Sequence, residues 1–480
     1  MKKFKFLLIV FIFVPCMFIL GACGNASSNR FVTDIQKVSS NGVYDIYHVE
    51  YNDGTNGSIT IKNGEKGNDL TIEDLYNTAV DNGFEGTILE FMREYLTSSF
   101  SSETEEVIAT NKALVSTVAI TCEFPIISTS FWGVQSKSKS IGSGAGVVLR
   151  VDHDTGDALI ITNFHVVYYS SCSTEDHFSP KIMCYLYGSP INRKTKTDDD
   201  GNIVNDEDGY PIVEYDDYAI ECSIVGGSMT YDLAVLQVSG SDAIKNSALT
   251  PVKFANSDDV TIGSTAIAVG NPEGMGISAT KGVINVESEV IPMTTADDVT
   301  QVNSRVIRTD TSINGGNSGG GLFNTNGELV GIVNSKIVKQ NIENMGFAIP
   351  SNIVNRVAYN ILRNAAAHNK KAFRAVFGLT VESKNRHATY NELLQKTVIT
   401  EDVYVSVIKE DSLISTSSIE VGDKLLKVVI NETEYTITKY YQLSDLTWLL
   451  KPGDVVGFYV EGKRDPINVI VAEEYFVEVD

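Results

Sequence analysis

The feature that most limits the fold lies between about residues 106 and 350, where short apolar runs alternate with glycine and Asn/Asp turns. Several short strands separated by turn signals are typical of a β-barrel or a β-sandwich. The sequence therefore predicts a mainly β fold here. The clearest runs are residues 114–121, 146–151, 158–162, 233–238, 265–269, 283–286, 306–309 and 329–333.

The first residues predict the cellular compartment. Three lysines precede an apolar run over residues 6–20, which has the length of a signal-peptide hydrophobic region and is short for a transmembrane span. The run ends in Leu-Gly-Ala-Cys at Cys23, which resembles the lipobox of bacterial lipoproteins. An uncleaved anchor helix is the alternative, and Pro15 inside the run argues against it. We predict a signal peptide over residues 1–22, an extracytoplasmic location and a membrane anchor on lipidated Cys23.

The charge of the chain excludes some partners. The formal charge is −23, and removal of residues 1–22 takes away three lysines and no acid, which brings it to −26. Such a chain has no surface to neutralise nucleic-acid phosphates, and anionic headgroups repel it. The predicted acyl chain, and not charge, must hold it at a membrane.

Four cysteines remain once the signal peptide is removed and Cys23 is lipidated. They allow three pairings if all are oxidised, and buried thiols are the equal alternative. No spacing among them is typical of zinc, and no metal or cofactor is predicted. These residues are Cys122, Cys172, Cys184 and Cys222.

Three further regions flank or interrupt the β-rich part. Residues 23–105 begin as a polar tether and then show helical spacing, which predicts a small, partly helical accessory module. A helix is predicted to begin with Ser351 as its cap, and residues 375–480 return to β texture. The acidic insert at 195–209 predicts a polar hairpin. A calcium loop is the alternative there, but its glycines miss the EF-hand position.

A serine surrounded by glycines predicts a nucleophile with an oxyanion hole. In the run N-G-G-N-S-G-G, Ser318 follows Gly316 and Asn317, and backbone N–H groups of this segment can converge on one oxygen only where side chains do not obstruct it. A glycine-rich hairpin loop is the alternative.

A histidine and an aspartate stand where a base and its orienting group are needed. His165 follows an apolar strand at a turn, and Asp232 begins another apolar strand. Taken alone, His165 is equally well explained as a histidine of the core, and Asp232 as a turn residue. The order His, Asp, Ser is that of trypsin-like proteases. The separations, 67 residues from 165 to 232 and 86 from 232 to 318, suit His and Asp on one barrel and Ser on the next.

Over residues 110–365 the chain resembles the HtrA/Deg family of trypsin-like serine proteases. The resemblance implies a chymotrypsin-like pair of six-stranded β-barrels with the site between them, cleavage of unfolded or damaged polypeptides, and a homotrimer. The motifs that carry it are G-S-G-A-G-V-V at 142–148, I-T-N-F-H-V-V at 161–167, Y-D-L-A-V-L at 231–236, A-V-G-N-P at 268–272, R-T-D at 308–310, G-N-S-G-G at 316–320 and G-F-A-I-P at 346–350.

The same resemblance implies the residues of the primary specificity pocket. They are Ile313, Ile337 and Val338, which imply a preference for a small or medium aliphatic residue before the cleaved bond. The pocket has no aspartate at its base that would select Lys or Arg.

The C-terminal region resembles a PDZ domain. Phe377-Gly378-Leu379 is similar to the carboxylate-binding loop, residues 419–425 to the I-x-x-G-D-x-I segment, and residues 446–454 to the following helix and turn. The usual A-G-L is replaced by S-S-I at 417–419. Peptide capture by strand addition is implied, and a purely structural domain is the alternative.

The predicted organisation is a signal peptide, an accessory module to residue 105, a protease domain over 106–365 with barrels at about 110–240 and 250–350, and a PDZ-like α+β domain over 375–480. Its predicted function is hydrolysis of extended polypeptides outside the cytoplasm. A catalytically silent binding protein is the alternative. A solute-binding lipoprotein would need α/β repeats that this texture lacks.

Overall fold

The computed structural model describes residues 32–40, 44–51, 56–62, 72–81, 83–84, 86, 105–337, 345–392 and 396–479. The predicted signal peptide, Cys23 and Val338 lie outside these residues. The chain forms two compact units, residues 1–101 and 102–480. Among the described residues, no helix combines the length and the apolar composition that crossing a bilayer requires.

In the part of the N-terminal unit that the structure describes, a three-stranded antiparallel sheet is followed by one helix. The polar stretch that precedes the predicted helix forms strands, which the sequence pattern did not indicate. The elements are β1 (Val32–Ser40), β2 (Tyr44–Tyr51), β3 (Asn56–Lys62) and α1 (Ile72–Asp81).

The second unit begins with a helix and a closed antiparallel barrel, ordered β10-β11-β6-β5-β4-β7. In the first half of β4 the side chains on both faces of the strand are buried. The first nine residues of β4 are all buried. The elements are α2 (Glu105–Leu114), β4 (Thr117–Thr129), β5 (Gln135–Asp152), β6 (Asp157–Thr162), α3 (Phe164–Val167), β7 (Lys181–Tyr185), β8 (Arg193–Thr195), β9 (Val213–Tyr215), β10 (Ile220–Ser228) and β11 (Leu233–Val238).

The acidic insert forms the polar hairpin that the sequence predicted. Strands β8 and β9 pair at its base, and Asp198 and Asp206 accept backbone N–H groups in two successive turns. Within the described ranges, no group of three or more His, Cys, Asp or Glu side chains is placed to hold a metal ion.

A second closed antiparallel barrel follows, ordered β12-β13-β14-β17-β16-β15. The two six-stranded barrels confirm the predicted fold class. The elements are α4 (Asp242–Lys245), β12 (Thr265–Gly270), a 3₁₀ turn (Pro272–Gly274), β13 (Ser278–Thr294), β14 (Gln301–Thr309), β15 (Gly321–Phe323), β16 (Leu329–Val333), a 3₁₀ turn (Ser335–Ile337) and β17 (Gly346–Pro350).

Helix α5 (Ser351–Asn364) packs into a core shared by both barrels. Ile353, Val354 and Val357 lie in that core, whereas Leu362 on the same helix is exposed. The predicted cap is also displaced by one residue. Pro350 is the N-cap, and the Ser351 hydroxyl donates to the carbonyl of Ala255 at 2.7 Å.

The C-terminal domain has its own apolar core and a sheet ordered β19-β20-β21-β23-β24, which leaves β19 at an edge. Strand β22 pairs with β21, and β18 pairs with β25. The elements are β18 (Ala372–Ala375), β19 (Leu379–Asn391), β20 (Lys396–Ile408), β21 (Lys424–Ile430), β22 (Thr433–Thr436), α6 (Gln442–Leu446), a 3₁₀ turn (Thr447–Leu449), β23 (Val455–Val460), β24 (Ile467–Ile470), a 3₁₀ turn (Glu473–Tyr475) and β25 (Phe476–Val479).

Cys122, Cys172, Cys184 and Cys222 are buried free thiols, so of the two alternatives that the sequence left open the structure shows thiols and not disulfides. Three lie on neighbouring strands β4, β7 and β10, and burial raises the pKa of the Cys122 thiol well above its ordinary value. As neutral thiols they fill the core as small apolar side chains.

Candidate active site

The three residues predicted to carry the chemistry lie in direct contact. His165 Nε2 is 2.9 Å from Ser318 Oγ, and His165 Nδ1 is 2.7 Å from Asp232 Oδ2. The main-chain N–H of His165 also donates to Asp232 Oδ1 at 2.9 Å. Because the carboxylate faces Nδ1, that nitrogen carries the proton, and Nε2 is free to accept the hydroxyl proton of Ser318.

His165 is held by the short helix α3, which follows β6. Phe164, Val166 and Val167 are buried on either side of it, so the helix is fixed and the half-buried imidazole faces the cleft. A strand that ends in one apolar helical turn therefore presents the imidazole at the rim of the barrel.

Asp232 immediately precedes β11 and is almost fully buried. Its φ of 50° lies in the left-handed region, which aspartate tolerates better than most residues. The backbone carbonyl of Asp232 accepts from Asn163 Nδ2 at 2.8 Å, and the carboxylate Oδ2 accepts from Asn334 Nδ2 at 2.7 Å. Asn334 follows β16, so a donor from the second barrel fixes a carboxylate of the first.

Ser318 lies on a glycine-rich loop pressed against the first barrel. Its carbonyl accepts the N–H of Ala145 at 2.8 Å. A Cβ on Gly319 would come within 2.2 Å of the Ala145 carbonyl oxygen and of Thr162 Oγ1, which explains why only glycine fits there. Gly316 has a φ of 89°, and a Cβ there would lie 2.2 Å from the Asn271 carbonyl oxygen.

The backbone N–H groups of the predicted oxyanion hole differ in their partners. The N–H of Asn317 donates to the Asn314 carbonyl at 3.1 Å. In the part of the chain that the structure describes, no acceptor for the N–H groups of Gly316 and Ser318 is found. These two donors are therefore available to an incoming oxygen.

Ser335 is a second partner of the Ser318 hydroxyl, and nothing in the sequence indicated it. The two Oγ atoms are 2.5 Å apart, and the main-chain N–H of Ser335 donates to Ser318 Oγ at 3.1 Å. The neighbouring Lys336 ammonium donates to the Thr295 carbonyl and to Asp298, both at 2.8 Å, which holds this segment over the serine.

A cleft cavity of about 360 Å³ opens onto these groups and is lined by both barrels. Besides His165 and Ser318, its walls include Phe124, Gly142, Tyr168, Gly316, Ser335 and Lys336.

The predicted pocket residues are only partly described. Ile313 is half-buried and packs against the core of the second barrel beside Gly346, but it does not line the cleft cavity. Ile337 ends the 3₁₀ turn after Ser335, and Val338 lies outside the described residues.

Residues 144–332 match the model of the trypsin-like peptidase domain, a span that includes His165, Asp232 and Ser318. The serine protease Do-like HtrA of Lactococcus lactis subsp. cremoris (strain MG1363) is 30% identical over 358 residues, which cover 71% of this chain and 75% of that protein. This chain belongs to the HtrA family of serine proteases. It is a serine endopeptidase.

Two further HtrA relatives are similar over a shorter span. The serine protease Do-like HtrA of Bacillus subtilis (strain 168) is 34% identical over 241 residues, 49% of this chain and 43% of that protein. A probable periplasmic serine endoprotease DegP-like of Pseudomonas fulva (strain 12-X) is 29% identical over 274 residues, 56% of this chain and 52% of that protein. The chain thus spans about half the length of these two relatives.

Proposed function

We propose that this HtrA protease hydrolyses peptide bonds through an acyl-enzyme formed on Ser318, with His165 as general base and Asp232 as its orienting carboxylate. The observation that carries the proposal is the unbroken contact from carboxylate to imidazole to hydroxyl, at 2.7 and 2.9 Å. These are the distances at which a proton can move from the serine as its oxygen attacks.

The proposed reaction follows from which atoms are free to accept or donate. His165 Nε2 takes the proton of Ser318 as Oγ adds to the substrate carbonyl, and Asp232 stabilises the resulting imidazolium. The oxyanion forms beside the N–H groups of Gly316 and Ser318, which have no other described acceptor. Asn317 can contribute its N–H only by releasing the carbonyl of Asn314. The imidazolium then protonates the leaving amine, and water releases the acyl group by the same route.

The proposed substrates are extended segments of unfolded, damaged or envelope polypeptides. Because the cleft is open and lined by both barrels, an internal segment of a polypeptide can enter it, and no free chain terminus is needed. We propose that Ile313, Ile337 and Val338 form the pocket for a small or medium aliphatic side chain before the cleaved bond.

We propose that the protein acts outside the cytoplasm, anchored by a lipid on Cys23, and assembles as a homotrimer. The basic start, the apolar run and the Leu-Gly-Ala-Cys sequence support the anchor. The Pseudomonas fulva relative is named a probable periplasmic serine endoprotease, which agrees with this compartment.

We further propose that the C-terminal domain is a PDZ-like peptide-binding module. A cavity of about 770 Å³ runs beside Phe377, Gly378, Leu379 and Lys409. Strand β19, which begins at Leu379, is an edge strand and can pair with an added peptide strand. Lys409 would supply a positive charge for the peptide carboxylate.

Labelling with a fluorophosphonate probe tests the proposed chemistry. Wild-type protein is expected to be labelled, while Ser318→Ala abolishes labelling and His165→Ala reduces it at least about a hundredfold. Ser223→Ala is the matched control, because Ser223 is an exposed serine of β10 whose hydroxyl donates to the Gln237 carbonyl and not to the three catalytic residues. Labelling that persists in Ser318→Ala would contradict the assignment.

The catalytically silent alternative is distinguished in the same experiment. A binding protein would bind a denatured polypeptide but would neither react with the probe nor cleave that polypeptide. Reaction of the probe at Ser318 together with cleavage of denatured casein excludes it.

Membrane anchoring is tested separately. Metabolic labelling with a palmitate analogue is expected to mark the wild-type chain and not Cys23→Ala, and the variant should leave the membrane fraction. Equal labelling of the two proteins would exclude Cys23 as the acylated residue.

A further inference from the structure

The β4–β5 hairpin extends beyond the first barrel and ends in exposed aromatic side chains. Phe131 is 95% exposed, Trp132 86% and Val134 66%. Large side chains of this kind are normally buried, and several together on a short projection mark a contact surface.

The hairpin projects because strands β4 and β5 are longer than the barrel wall to which they belong. Residues 126–129 and 135–139 remain paired, from Pro125 with Lys139 to Thr129 with Gln135, but their side chains are largely exposed. At about 3.3 Å per residue, the four residues of β4 beyond Pro125 carry the tip roughly 13 Å outward.

The tip is a closed turn with a defined shape. The N–H of Ser130 donates to the Val134 carbonyl at 2.8 Å, and the N–H of Val134 donates to Ser130 Oγ at 3.1 Å. The Phe131 and Trp132 rings contact each other edge-on, with centroids 5.5 Å apart. The turn therefore presents an ordered apolar surface.

We propose that this aromatic tip, Phe131 to Val134, inserts into the interfacial region of a lipid bilayer. Trp and Phe are favoured at that depth, where an aromatic ring replaces loosely packed headgroup water. Part of the support rests on the proposed anchor on Cys23, which places the chain at a membrane surface.

The charge distribution around the tip favours an uncharged, apolar partner such as zwitterionic lipid. From Ile127 to Ile141 the chain carries no acidic residue, although its formal charge is −23. The two lysines of this segment are already engaged. Lys139 pairs with Glu123 at 3.0 Å, and Lys137 donates to the Asp208 carbonyl at 2.5 Å. The contact is therefore apolar, and zwitterionic lipid should suffice without anionic lipid.

The tryptophan content makes insertion directly measurable. The chain has two tryptophans, and the other, Trp448, is 1% exposed inside the fold. Emission that is accessible to a lipid-borne quencher therefore comes from Trp132. The probe is vesicles of phosphatidylcholine that carries bromine on its acyl chains.

The test uses the mature lipid-carrying protein and, in parallel, Cys23→Ala, so that anchoring and insertion are separated. Brominated lipid is expected to quench the wild-type emission, and raising the salt concentration should leave the quenching unchanged. Trp132→Ser should abolish it. In the Cys23→Ala background, Phe131→Ser should weaken vesicle binding about tenfold, the loss expected for one buried aromatic side chain.

Two outcomes overturn the proposal. One is emission unaffected by brominated lipid in both backgrounds, and the other is binding that needs anionic lipid and disappears with salt. Self-association in the absence of lipid that is lost on Trp132→Ser, without quenching, would instead assign the tip to a second copy of the chain. Failure of Cys23→Ala to change flotation would refute the anchor alone, because quenching would still report on the tip.

Discussion

Trp448 of the C-terminal domain packs edge-on against Tyr231 of the first barrel, with ring centroids 4.9 Å apart and ring planes at 84°. Tyr231 directly precedes Asp232. The guanidinium of Arg374 lies 5.6 Å from the Tyr231 ring centroid and 5.3 Å from that of Trp448. The C-terminal domain therefore contacts the backbone segment that positions the candidate catalytic carboxylate.

Trp448→Leu should slow fluorophosphonate labelling of Ser318 about tenfold, because loss of the ring loosens the turn that holds Asp232. The cavity should also lower the free energy of unfolding by about 3 kcal/mol. Phe458→Leu is the matched control, since Phe458 is fully buried in the C-terminal core and has no ring contact with Tyr231. Equal slowing in both variants, measured below their melting transitions, would show that the effect is general destabilisation.

Asn334→Leu should lower kcat for a fluorogenic peptide by about 10- to 100-fold with little change in KM. It removes a hydrogen bond to a buried carboxylate, which is worth about 1.5–3 kcal/mol. Asn334→Asp is the second variant and should be worse, because a like charge would face Asp232. An unchanged kcat in Asn334→Leu would show that Asp232 needs no donor from the second barrel.

Ser335→Ala should raise the rate of probe labelling by about two- to tenfold. Ser335 Oγ lies 2.5 Å from Ser318 Oγ, so their hydrogen bond uses either the proton or a lone pair of the nucleophile. A neutral hydrogen bond of this kind contributes about 0.5–1.5 kcal/mol. Ser335→Thr retains the hydroxyl and should label at the wild-type rate. A slower Ser335→Ala would mean that the contact holds Ser318 in its reactive rotamer.

Asp445 should make stability depend on pH between about 4 and 6. Burial raises the pKa of its carboxyl from 3.8 to about 6, although the guanidinium of Arg305 contacts it. Because the pKa of the Asp445 carboxyl is higher in the folded state, its contribution to the free energy of unfolding is complete below about pH 4. That contribution is lost as the pH rises through 6. The loss amounts to about 3 kcal/mol.

Urea unfolding of wild type and Asp445→Asn at pH 4 to 7 measures this contribution. The difference between the two proteins should change with pH in that window, and Asp258→Asn, which removes the other carboxylate on Arg305, should not reproduce it. Parallel curves for wild type and Asp445→Asn would contradict the prediction.

The sequence predicted the barrels and the three contacting residues because each depends on local chemistry. Short apolar runs with turns indicate strands, and Ser318 needs glycines on both sides of it. Asn334 and Ser335 were missed because nothing in their own segment distinguishes them. Asn334 reaches Asp232 only when the second barrel closes against the first, and Ser335 reaches Ser318 only when β15 and β16 pair. Both are tertiary events without a local pattern.

The N-terminal sheet and the cap of helix α5 were missed for a different reason. The apolar residues of β1 to β3 alternate with charged and polar ones between N-D-G and N-G turns, so the turn signals dominated the prediction. At Ser351 a hydrogen bond to Ala255 replaces the local cap. Local capping rules therefore displaced the predicted start of the helix by one position.

The core that surrounds helix α5 also draws side chains from both barrels and from Trp448. Within residues 102–480, the two barrels and the segment around Trp448 share this core, so none of these parts should melt while the others persist. Heating should consequently erase catalysis, the tertiary circular-dichroism signal and resistance to thermolysin in a single step.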